Sequence, residues 1–102
     1  MMYDLSRIID MEKLLDESQE ALDRLLDALE GFAAVQENIR ALDAYYTGGE
    51  WMEDFEADEQ GLLPPGLKRG VLSEDAVYDL LTDNRELMAR LLEVAAESIR
   101  EG

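Results

Sequence analysis

The chain contains no cysteine and no histidine. Without imidazole there is no general base whose ordinary pKa lies near neutrality. Without a thiolate there is no sulfur nucleophile, no soft ligand set for structural zinc and no disulfide framework of the kind that staples small secreted domains. Basic residues are scarce too: 9 lysines and arginines face 25 aspartates and glutamates, for a net charge of −16. A field of that sign repels phosphates, so direct binding to nucleic acid or to anionic membranes is not expected. Long apolar runs are missing. No stretch approaches the ~18 consecutive apolar residues that span a bilayer, and the opening residues lack the regions of a secretory signal. The expected location is the cytoplasm.

What is present is patterned. At 47% hydrophobic the chain is too apolar for a disordered acidic tail. Residues from about 4 to 46 read as one long helix with an apolar row at Ile8, Met11, Leu15, Leu22, Leu25 and Leu29, spaced three and four apart and broken only by Ser18. The row continues through Phe32 to Val35, Ile39, Leu42 and Tyr46. Two successive steps of three, Leu29 to Phe32 and Phe32 to Val35, meet just after Gly31, a slip that overwinds a supercoil or marks a bend. The spacing favours one continuous helix through Gly31, with Asp4 at its N-cap. Leu5, Ile9, Leu14 and Leu26 widen the apolar face beyond a bare coiled-coil seam.

A second long helix, about 73–101, opens with Ser73 as N-cap, Glu74 and Asp75 in its first turn, and Leu72 and Val77 spaced as a hydrophobic staple. Its expected buried stripe runs through Val77, Leu80, Leu81, Leu87, Met88, Leu91, Leu92, Ala95 and Ile99. Asn84 lies in that stripe, where a polar residue fixes register or partner choice.

Between them lies the most distinctive stretch. Gly48-Gly49 ends the first helix, and Glu50 to Glu59 reads as a short helix with Trp51, Met52 and Phe55 on one face and carboxylates elsewhere. Gly61 and Pro64-Pro65-Gly66 then interrupt any helix. Lys68-Arg69 is the only adjacent basic pair.

The fold class is all-α: a long N-terminal helix antiparallel to a C-terminal helix, as a hairpin or three-helix bundle, with a short acidic-aromatic helix in the connector. One domain covers residues 1–102. At ~1.5 Å per residue the first helix, of about 43 residues, reaches roughly 64 Å and the last, of about 28, roughly 42 Å. Either the first bends back at Gly31, or another chain covers its apolar stripe.

Candidate chemistry is thin. Asp54, Glu56 and Asp58 match the first, third and fifth positions of a calcium loop, but Glu59 stands at the glycine position and Pro65 at the final glutamate position. Glu17 and Glu20 form an E-x-x-E of the sort all-α magnesium pyrophosphohydrolases use, without a convincing second pair. Tyr45, Tyr46, Trp51 and Phe55 either close the open end of the hairpin or line a groove for a peptide or ligand. Lys68 and Arg69 either neutralise the acidic helix or receive an anion near Ser73.

The order YY, then W-x-x-D-F-E-A-D-E, then L-K-R-G-V-L-S-E-D, running from Tyr45 to about Leu81, resembles a family of small acidic helical proteins. That family, found mainly in Firmicutes, is catalogued only as a domain of unknown function. The resemblance implies a single helical domain and transfers no catalytic residue, substrate or cofactor.

The functional expectation is a non-enzymatic interaction protein, with no cofactor or metal, that forms homo-oligomers or docks a protein partner. Its candidate partner-binding residues are Tyr45, Tyr46, Trp51, Asp54, Phe55 and Glu56, with Asp58, Lys68 and Arg69. An acidic mimic of nucleic acid that inhibits a DNA-binding enzyme is the alternative, and a carboxylate–metal hydrolase a remote one.

Overall fold

The computed structural model describes residues 3–102. The fold is all-α: α1 is Ser6–Thr47, α2 is Glu50–Glu59 and α3 is Ala76–Glu101, with a single 3₁₀ turn, Gly70–Leu72, ahead of α3. Among the described residues no helix is long and apolar enough to cross a membrane. The chain divides into two units, one ending at Glu37 and one from Asn38 to Gly102.

In the first unit α1 starts where Asp4 stops it fraying. The Asp4 carboxylate accepts the Ser6 backbone N–H at 2.9 Å and the Ser6 hydroxyl at 2.6 Å. These bonds, the hydroxyl one foremost, hold the carboxyl below its ordinary pKa. The helix passes through Gly31 unbroken, as the spacing predicts. A β-carbon there would meet nothing within 4 Å, so this glycine is tolerated rather than required. The outer face carries local pairs: Lys13 with Glu17, Arg24 with Glu20, and Gln19 donating to Asp23 at 3.1 Å. Exposed pairs one turn apart contribute about 0.3–0.5 kcal/mol each. The apolar row is open. Ile8, Met11, Leu15, Leu22, Leu25 and Leu29 are each between 44% and 62% exposed.

The second unit has punctuation at every joint. Gly48 donates to Ala44 O at 2.9 Å, and Gly49 follows at φ 98°, a left-handed conformation that ends α1 and starts α2. Glu50 and Glu53 sit in the first turn of α2, against the positive end of its dipole. At the far end Leu62 N–H reaches Ala57 O and Gly61 N–H reaches Asp58 O, both at 3.0 Å, with Gly61 at φ 71°. That is a Schellman cap. Pro64-Pro65-Gly66-Leu67 forms the next turn, closed by Leu67 N–H to Pro64 O at 3.1 Å.

The Ser73 Oγ accepts the Ala76 N–H at 3.3 Å, as a capping serine does, while α3 itself begins at Ala76 with Asp75 at its N-cap, slightly later than the sequence indicates. The staple partners Leu72 and Val77 are both buried. Leu72 belongs to the 3₁₀ turn, against which α2 and α3 each pack. The rest of the expected stripe departs from prediction. Leu81, Asn84 and Leu91 are half-buried, whereas Leu80 and Leu87 are exposed and Leu92 and Ile99 are 73% and 80% exposed. The core holds the start of α3, and the later turns run past it. On α1 the half-buried residues are Phe32, Gln36, Ile39, Leu42, Tyr45 and Tyr46, so Gln36 rather than Val35 takes the covered position after the slip.

Candidate functional site

Trp51 organises the connector. Two residues after Gly49, it lies on the inward face of α2 and is only 7% exposed. Its neighbours on both sides are aromatic. Tyr46 meets it edge to face at a centroid distance of 5.2 Å, and Phe55, one turn along α2, stacks on it at 5.0 Å. Such pairs contribute about 0.5–1.5 kcal/mol beyond the area they bury. The indole N–H donates to Val71 O at 2.8 Å, fixing α2 to the 3₁₀ turn. The three rings spend their faces on one another.

Beside them Tyr45 donates its hydroxyl to the Asp54 carboxylate at 2.6 Å. Partial burial of the phenol, then this hydrogen bond, then the negative charges of Asp54 and Glu50 disfavour a phenolate, and the Tyr45 pKa is pushed up to about 12. Arg69 forms the third contact. Its guanidinium is a fork with several donors: it pairs with Asp58 on α2, donates to Pro64 O, and donates through Nε to Leu67 O at 3.4 Å. One side chain thus binds the end of α2 to the loop that follows it.

These contacts leave a shallow recess of about 270 Å³, with Leu63, Leu67, Val71 and Leu72 as apolar lining and Tyr45, Asp54, Lys68 and Arg69 as polar edges. Of the residues singled out from the sequence, the fold joins Tyr45 with Asp54, Tyr46 with Trp51 and Phe55, and Asp58 with Arg69. Lys68 stands at the recess, apart from that ion pair. Glu56 is exposed and joins none of these contacts; its backbone carbonyl accepts the Gln60 N–H at 3.0 Å. Sequence reasoning missed the carbonyls of Val71, Pro64 and Leu67, because a backbone acceptor leaves no mark on residue type. Among the described residues no three acidic side chains gather to hold a metal ion.

Residues 8–94 match the model of a family described as a domain of unknown function, DUF4298. The chain belongs to the DUF4298 family. The match takes in the aromatic connector, the Arg69 clasp and most of both long helices. No curated protein and no solved structure matches the chain. Membership of DUF4298 accords with the helical fold and brings no assigned substrate or partner.

Proposed function

We propose that this DUF4298 protein is a non-enzymatic interaction protein, and that another protein surface covers the apolar face of its first helix. The observation that supports this most is the open row from Ile8 to Leu29. Leu5, Ile9, Leu14 and Leu26 flank it and are also more than half exposed. Single exposed leucines are ordinary on any protein, but a contiguous apolar strip over six turns is not. Covering the exposed half of one such side chain gains on the order of 1 kcal/mol. The aromatic connector supports the same reading from the other side. Its rings and its arginine are engaged internally, and so serve as the frame from which α1 departs.

Sedimentation velocity over a concentration series, in low and high salt, tests the reading. A complex built on the apolar face keeps or gains affinity as salt rises. A complex built on the carboxylates, as a mimic of nucleic acid requires, weakens steeply and is displaced by duplex DNA. A strict monomer that binds no hydrophobic dye contradicts the apolar-face reading.

A further inference from the structure

We infer that the face of α1 from Ile8 to Phe32 pairs with the same face of a second copy of this chain, in parallel and in register. The inference rests on the interaction role proposed above and names the partner. In a heptad lettered a to g, the alternating spacing puts Ile8, Leu15, Leu22 and Leu29 at a, and Met11, Ser18, Leu25 and Phe32 at d. A net charge of −16 opposes self-association unless the carboxylates lie away from that seam. They do. Asp10, Asp16, Glu17, Glu20, Asp23 and Asp27 all fall on b, c and f, the outer positions. The e and g positions beside the seam, from Arg7 to Val35, carry only two charges, Arg7 at g and Glu12 at e.

Those two charges select the arrangement. In a parallel, in-register pair each g residue faces the e residue five positions further along the other helix. Arg7 of each copy then meets Glu12 of the other, and symmetry forms the pair twice. The remaining facing pairs are Leu14 with Gln19, Ala21 with Leu26, and Ala28 with Ala33. No carboxylate faces a carboxylate. In an antiparallel pair g faces g and e faces e, so Arg7 lies against Leu14, Ala21, Ala28 or Val35 and loses its partner. Ser18, the one polar residue among these a and d positions, makes the same choice. In register the two hydroxyls meet each other, whereas a one-heptad stagger presses each against Met11 or Leu25. A polar residue in a seam is the best-attested device for fixing register.

The seam ends at Phe32, where the exposure of α1 changes. After Phe32 the three-three slip breaks the heptad, and the half-buried series Phe32, Gln36, Ile39, Leu42 and Tyr46 takes over.

The 102-residue chain has no cysteine, so a single Ser18→Cys substitution in it gives a unique thiol. Mild oxidation is expected to link Ser18→Cys into a disulfide dimer at least tenfold faster than Glu20→Cys on the outer face. Arg7→Glu alone and Glu12→Arg alone should each weaken association roughly three- to tenfold, as two surface ion pairs are lost and like charges face one another; the combined swap should restore it. A dimer that links equally at both positions overturns the parallel register. A strict monomer up to about 100 µM overturns the second copy as partner. In that case the wider interaction role stands if a hydrophobic dye still binds α1, and falls with it if none does.

Discussion

The indole N–H of Trp51 and the carbonyl of Val71 meet at 2.8 Å across twenty positions of sequence. This bond closes the connector on itself. Trp51→Phe keeps the stacking with Phe55 and removes the donor, leaving a part-buried acceptor unpaired. The expected loss is about 1–3 kcal/mol in urea unfolding followed by circular dichroism. A loss below about 0.5 kcal/mol, the range of ordinary surface changes, would show the bond to be incidental.

Tyr45 should titrate well above the ordinary phenol value. Ultraviolet difference titration is expected to show one phenol ionising near 12, because Asp54 accepts its proton and burial disfavours the phenolate. The sign follows from linkage. A folded pKa above the unfolded value of 10.0 stabilises the fold fully below pH 10, and that contribution is lost as pH rises from 10 through about 12. Asp54→Asn should move the late phenol back toward the ordinary value of 10.0. A titration identical in the native protein and in Asp54→Asn, with no phenol ionising late, would refute the Tyr45–Asp54 geometry.

Two glycines should respond oppositely to alanine. Gly49 holds φ 98° between α1 and α2, where a side chain costs about 1–2 kcal/mol. Gly31 lies within α1 with open space around its missing β-carbon, so Gly31→Ala should stabilise the helix by up to about 1 kcal/mol. Melting temperatures of the two variants decide it. Equal effects would contradict the contrast between a left-handed Gly49 and a helical Gly31.

Arg69→Lys retains the charge but not the fork that spans Asp58, Pro64 and Leu67. We expect a loss of roughly 1–2 kcal/mol and faster proteolysis confined to residues 60–69. Full retention of stability by lysine would reduce Arg69 to a simple counter-charge.

Much of this was legible in the residue order, and the physical reasons differ from place to place. Helix identity follows from apolar spacing, and both ends of α2 follow from glycines that local backbone geometry requires at Gly49 and Gly61. The Ser73 capping bond and the Leu72–Val77 staple are local patterns, and both form. The stripe of α3 was over-read, since periodicity marks which face is apolar and not how far the neighbouring surface extends. Leu92 and Ile99 share the face of Val77 but lie beyond the core that covers it. The connector's aromatic contacts were readable as a cluster. Its acceptors were not, because Val71, Pro64 and Leu67 act through carbonyls that every residue possesses.

Hydrogen–deuterium exchange over residues 6–30, read at protein concentrations of about 1 and 100 µM, tests the covered-helix account most directly. A solitary helix with an open apolar face is marginally stable, since most helical stability in proteins comes from packing that face. Pairing with a second copy predicts that amides from Ile8 to Leu29 gain protection as concentration rises, while those near Trp51 do not change. Protection of Ile8 to Leu29 that is the same at both concentrations, in a protein that sediments as a monomer throughout, would contradict it.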